Sequence, residues 1–211
     1  GAYGIMSPHE EGFYTSCVGL VLYRDGEVSG SKIVWIEHNE ADRTPDGIAI
    51  IQKYVDVCDL IVGQNLKYDI KGLTHYGVNF DKVKIWDTML GEYILSGMDS
   101  RDRRFGLNAL ADWYGIEGKG DSGAAVKSYW DDGVDTCDIP AKILAEYQLN
   151  DCLIPINIYQ KQLALAKKEG MLKSIELQME WLLSLCEMEY NGIYFNMEKA
   201  YEIHAKYKEK A

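Results

Sequence analysis

Two β-branched runs flank a single Asp-Gly dipeptide near the start of the chain. Residues 16–24 read SCVGLVLYR and residues 28–36 read VSGSKIVWI, with Asp25-Gly26 in the turn between them. Asp-Gly suits the tightest hairpin turns, whose central residues adopt positive φ, so one antiparallel strand pair is expected here. The pattern then alternates. PDGIAIIQKYVDVCDL carries Ile48, Ile51, Val55 and Leu60 at helical spacing, and LIVGQ is a short buried strand. DIKGLTHYG reads as a helix closed by Gly77, and VKIW as another strand. A hairpin followed by alternating strands and helices predicts an α/β domain.

From Asp87 onward the pattern is helical. DTMLGEYILSG has Asp87 as N-cap and Gly97 as stop, and LNALADWYG ends at Gly115. Residues 117–138 are rich in Gly and Asp and are expected to form a loop. Pro140 opens a long helix to about Lys168, as proline favours the first helical position. A further helix over 171–190 breaks at Asn191-Gly192, and a polar helix starts near Asn196. The result is a sheet domain with a helical extension.

Hydrophobic residues make up 47% and charged residues 26% of the 211-residue chain, an ordinary balance for a protein with a substantial core. No apolar run is long enough to span a membrane, and GAYGIMSPHEEGFY has no signal-peptide pattern. The five cysteines are scattered without a C-x-x-C pair, which suits reduced thiols in a cytoplasmic compartment and disfavours a structural zinc site. The four histidines (His9, His38, His75, His204) show no ligand spacing. A net charge of -11 works against a nonspecific coat on nucleic acid, but not against an enzyme whose carboxylates hold divalent cations.

Two elements carry chemistry. In VGQNLKYDIKGL, Asp69 follows a short strand and sits where a helix begins, at the rim where α/β sheets place ligands. A helix cap is the plain alternative, with Gln64 and Asn65 as turn formers. In EYQLNDC, Tyr147 and Asp151 stand four residues apart on a helix, so both project from one face. A phenol beside a carboxylate can orient a water while the carboxylate holds a cation. Pro155 removes the donor for the Asp151 carbonyl and is expected to bend the helix. Trp113, Tyr114 and Trp130 are candidates to stack bases, with core packing expected for Trp113 at least.

Taken in order, VGQNLKYD, DTMLGEYIL, GLNALADWYG and Y-x-x-x-D resemble the 3′–5′ proofreading exonuclease domain of family A DNA polymerases, the bacterial DNA polymerase I type. The tail IELQMEWLLSLCEMEYNGIYFNME is similar to the opening of the polymerase domain in that family. The resemblance covers about residues 15 to 200. It implies a ribonuclease H-like fold, a mixed sheet flanked by helices, with an exonuclease-like domain over 1–168 and the helical start of the polymerase domain over 169–211. It further implies Asp69 and Asp151 as metal ligands and Tyr147 as the residue that positions the attacking water, the DEDDy arrangement. Gln64, Asn65 and Lys67 match positions near the terminal nucleotides, and one of Arg101, Arg103 and Arg104 matches a basic contact to the substrate strand. Asp87 reads as a structural cap. The implied reaction is two-ion hydrolysis, with Mg²⁺ or Mn²⁺ held by carboxylates because hard cations prefer oxygen. The implied partners are the 3′ end of single-stranded DNA and a polymerase domain in cis. The implied setting is a bacterial or phage-infected cytoplasm.

One part of the family pattern is missing. The first motif, Asp-x-Glu on the central strand, has only Asp25-Gly26-Glu27 as a formal match, and that lies in a hairpin turn. GAYGIMSPHEEG is similar to the loop that follows the motif, so the first strand and its two carboxylates are expected upstream of Gly1. Glu10 and Glu11 are the only early carboxylates that could substitute. A gap at the centre of the sheet would leave two unpaired edges. Residues 1–12 or a second copy of the chain are candidates to fill it, the latter by self-association. The remaining carboxylates are expected to bind metal weakly and to support little exonuclease activity. Two alternatives stay open: a non-catalytic exonuclease-fold scaffold, which retention of Asp69, Asn65, Tyr147 and Asp151 disfavours, and a free-standing ribonuclease D-like exonuclease, which the polymerase-like tail disfavours.

Overall fold

A computed structural model describes residues 7–98, 105–118 and 120–208. The hairpin forms as expected, from β1 (Cys17–Arg24) and β2 (Glu27–Trp35), antiparallel with Cys17 opposite Trp35. Asp25 and Gly26 turn the chain at φ 53° and 91°, so the Asp-Gly-Glu triplet is hairpin chemistry. Helix α1 (Gly47–Val57) leads to β3 (Leu60–Gly63), and α2 (Leu66–His75) crosses over to β4 (Lys84–Asp87). The last two strands pair in parallel, from Leu60 opposite Lys84 to Gly63 opposite Asp87.

Where the sequence predicts a mixed sheet lacking its central strand, the structure has two separate pairs, β1–β2 and β3–β4, with β1 and β3 unpaired to each other. Each strand can be paired on two sides. Here β1 and β3 each use one side, so each leaves an open edge among the described residues. Residues 7–12 form turns and do not fill that position.

Helices bind the two halves together. Helix α3 (Thr88–Leu95) and α4 (Leu107–Tyr114) follow β4. Residues 117–138, expected to be a loop, contain instead α5 (Gly120–Asp131) and a 3₁₀ turn over Thr136–Asp138. The glycines and Ser122 of α5 have weak helix propensity, and packing decides the outcome: Val126 is fully buried with Cys17, Ile139 and Leu144. Helix α6 (Ala141–Lys168) runs unbroken through Pro155 and lies against β1, β2 and β3 alike. Its successive turns join three apolar clusters. Leu144 packs with Cys17, Ile154 and Ile158 pack with Leu110, and Ala166 packs with Trp86 and Ile175. Helix α7 (Leu172–Asn191) lies on α2 and β4, and Ile175, Met179, Leu182 and Cys186 enter the main core. Helix α8 (Met197–Lys208) buries no residue.

The seat of α6 on β1 is tight at Gly19. A Cβ there would stand 3.0 Å from Cys152 Sγ and 3.0 Å from the backbone oxygen of Gln148. That backbone belongs to the helix and cannot rotate away. Gly19→Ala should therefore destabilise the protein by about 1–3 kcal/mol, read as a lower urea midpoint. An unchanged midpoint would mean that α6 is not seated this closely.

Candidate functional site

The strand-to-helix turn after β3 depends on a residue distant in sequence. Asn65 takes the left-handed conformation at φ 55°, which asparagine tolerates well. The carboxylate of Asp87 is 1% exposed, and its Oδ1 accepts from Asn65 N–H at 3.1 Å and its Oδ2 from Leu66 N–H at 2.8 Å. Oδ1 also accepts from Met89 N–H at 2.9 Å and Leu90 N–H at 3.3 Å. One carboxylate thus caps α3 and fastens the start of α2. Burial raises its pKa and the four backbone donors oppose that rise. The capping role expected for Asp87 is what the structure shows.

Asp69 is not a cap. Asn65 precedes α2, and Asp69 is the fourth residue of the helix, in its first turn. The residue is exposed, yet protein atoms crowd its carboxylate. Loss of water around it comes first, then the charges of Asp87 and Asp151, and together these push its carboxyl up to about 7. Across from it, α6 presents Tyr147 and Asp151, both half-buried. The Tyr147 hydroxyl donates to Asp151, and burial followed by the charges of Asp151 and Asp69 holds the phenol well above its ordinary pKa. Cys152 is pushed up to about 12 by burial and by the same two carboxylates, so it is a closed thiol. Trp130 packs edge-on against Tyr147 at 5.9 Å between ring centroids and limits where the phenol can swing.

The other sequence candidates divide. Gln64 is tied inward, donating to the Phe105 carbonyl at 2.6 Å and accepting from Thr88 Oγ1 at 2.5 Å. Asn65 is exposed and makes no side-chain cap. Lys67 reaches Glu189 on α7 at 2.6 Å, a contact between residues far apart in sequence that no local pattern announces. Arg101, Arg103 and Arg104 lie outside the described residues. Glu10 and Glu11 are exposed in the turns before β1, and no group of three or more His, Cys, Asp or Glu side chains able to hold a metal is found among the described residues. Trp113, expected in the core, is 60% exposed, because α4 buries Leu110 and Ala111 instead. Tyr114 donates to Glu92 at 2.5 Å. His38 accepts from the backbone of Glu40 and Ala41 at Nδ1 and donates to the Ile139 carbonyl from Nε2, a loop fastener.

The fold and site define a helix-rich α/β protein in which two carboxylates and a tyrosine from α2 and α6 lie near enough for their charges to act on one another. The chain is distantly related to a DNA-directed DNA polymerase of Pseudomonas phage M6, 24% identical over 143 residues. That match takes in 66% of this chain and 21% of the phage protein, so the chain spans about a fifth of its relative's length. No protein-family model matches the sequence. Among the described residues no helix is long and apolar enough to cross a membrane.

The raised carboxyl has a measurable consequence. Unfolded, Asp69 loses its proton near the ordinary 3.8, while folded it keeps it to about 7. Folding therefore takes up a proton between these limits, and the stability this group contributes is full below pH 4 and falls as the pH rises towards 7. Asp69→Asn should flatten that part of the stability curve and leave the variant more stable than the parent at pH 8, by urea unfolding at a series of pH values. Parallel curves for the two proteins would mean that the folded protein does not raise the Asp69 carboxyl.

Proposed function

We propose that the chain is the 3′–5′ exonuclease-like portion of a DNA polymerase, removing nucleotides from the 3′ end of single-stranded DNA. The observation that carries this reading is the convergence of Asp69, Asp151 and Tyr147, from helices far apart in sequence, each within reach of the others' charge. The distant polymerase relationship supports it.

Carboxylates crowded enough to raise a pKa fit a hard divalent cation, which would relieve their repulsion. Asp69 and Asp151 would hold Mg²⁺ or Mn²⁺. When bound, such ions lower the pKa of water and neutralise charge on phosphate. Tyr147 keeps its proton at neutral pH, so it can orient a water by hydrogen bonding rather than act as a base. The water oxygen bonds to the terminal phosphorus as the P–O3′ bond breaks, giving a nucleoside 5′-monophosphate and a shortened strand with a free 3′-hydroxyl. Asn65 and the exposed Tyr68, 36% accessible, stand beside Asp69 for the terminal nucleotide.

Two carboxylates are fewer than two ions need. In the ribonuclease H-like fold we favour, an extended segment between the open edges of β1 and β3 would bring further carboxylates, from the same polypeptide or from a second copy. A non-catalytic scaffold beside a polymerase domain is the second reading, favoured by the lack of a third carboxylate ligand among the described residues.

Titrating the chain with Mn²⁺ and following free Mn²⁺ by electron paramagnetic resonance should reveal a weak site that Asp69→Asn and Asp151→Asn each abolish. Trimming of a 5′-labelled single strand should be slow, and Asp151→Asn should reduce it by about 100-fold or more, Tyr147→Phe by less. Equal Mn²⁺ binding by all three proteins, with no trimming, would favour the scaffold.

A further inference from the structure

The flank of α2 that faces α7 carries two lysines sharing one carboxylate. Lys67 Nζ lies 2.6 Å from Glu189 Oε1, and Lys71 Nζ lies 2.8 Å from Glu189 Oε2. The lysines are four residues apart, one turn, so both ammonium groups project from the same side of the helix. Two cations and one anion leave a net charge of +1 in a chain whose formal charge is -11. The lysines are partly accessible, with side chains 33% and 24% exposed, and Glu189 is 39% exposed. Exposed ion pairs of this kind hold weakly, so another anion can compete for the lysines at little cost. The lysines also hold the Glu189 carboxyl below the usual range, keeping it charged.

The carboxylate can leave without disturbing the core. Glu189 sits near the end of α7, whose buried anchors Met179, Leu182 and Cys186 all lie before it. The helix stops at Gly192, φ 67°, and residues 192–196 are exposed. On the opposite flank of α2 is Asp69, whose carboxyl feels the charge of Asp151 on α6. Between the two flanks the helix shows Tyr68 outward. A strand whose 3′ end lies at Asp69 would pass over the Tyr68 ring, which can stack a base, towards the lysines.

We infer that Lys71 joins Lys67, already expected near the strand, in a phosphodiester-binding pair, and that Glu189 occupies this pair until the strand's phosphate displaces it. This rests on the nuclease reading of the site. Glu189 acts as an internal competitor that sets how tightly nucleic acid is held. It also links strand binding to the end of α7.

The test is fluorescence anisotropy with a 5′-fluorescein oligothymidylate of about ten nucleotides in EDTA, across a salt series. Glu189→Gln removes the competitor with little change in shape and should tighten binding about three- to tenfold. It should also steepen the plot of log K against log salt by about 0.7 per lysine freed. Adding Lys71→Ala to Glu189→Gln should reverse both changes. Thermal melts of the variants, matched to the parent, establish that each is folded. Unchanged or weaker binding by Glu189→Gln, with an unchanged salt slope, would make Glu189 a clamp between helices and overturn the inference, leaving the nuclease reading intact. No binding by either protein would overturn the inference, while the nuclease reading stands or falls on the Mn²⁺ and trimming measurements.

Discussion

The carboxylate of Asp87 joins two helix beginnings to one point. Helix N-termini leave backbone N–H groups without intrahelical partners, and a buried end without acceptors is costly. Here a single side chain supplies acceptors to Asn65 and Leu66 on one element and to Met89 and Leu90 on another. The parallel pairing of β3 with β4 brings Asp87 opposite Gly63, within reach of the turn that follows. From that anchor the direction of α2 follows, and with it the place of Asp69. The same negative charge then contributes to the raised carboxyl of Asp69. Geometry and electrostatics of the site thus share one origin.

Helix α6 does the complementary work. It crosses from the hairpin to the parallel pair, so the two sheets share a core although no hydrogen bond joins them. Tyr147 and Asp151 lie on the part of the helix seated on the hairpin, just before its contact with α4. Their position is therefore set by packing on both sides, with Gly19 allowing the close approach.

Much of this was legible in the sequence where the signal is local. The Asp25-Gly26 turn, the Asp87 cap and the stops at Gly77, Gly97 and Gly115 depend on neighbours along the chain, and each appears as expected. The pairing of Asp69 with Tyr147 and Asp151 was legible only through the order of motifs, not through spacing. Helix α5 was not legible, because GDSGAAVKSYWD has poor intrinsic propensity and owes its form to Val126 meeting Cys17 and Leu144. The contacts of Gln64 with Phe105 and of Lys67 with Glu189 were hidden for a similar reason, since each partner is supplied by a distant segment. Trp113 misled because a large aromatic on a helix suggests burial, and only the tertiary arrangement shows which face of α4 turns inward.

Burial is distributed unevenly along the chain, and resistance to local opening must follow it. Amide protons of α6, tied to three clusters at once, can exchange with solvent only when much of the domain opens together. Those of α8, which shields no side chain, can exchange by fraying of that helix alone. The boundary between slow and fast exchange should fall between Cys186, the last core residue of α7, and Gly192, in the same few residues that carry Glu189. The polypeptide is thus a cooperative body with a loosely coupled end, and the contact to α2 lies at the junction.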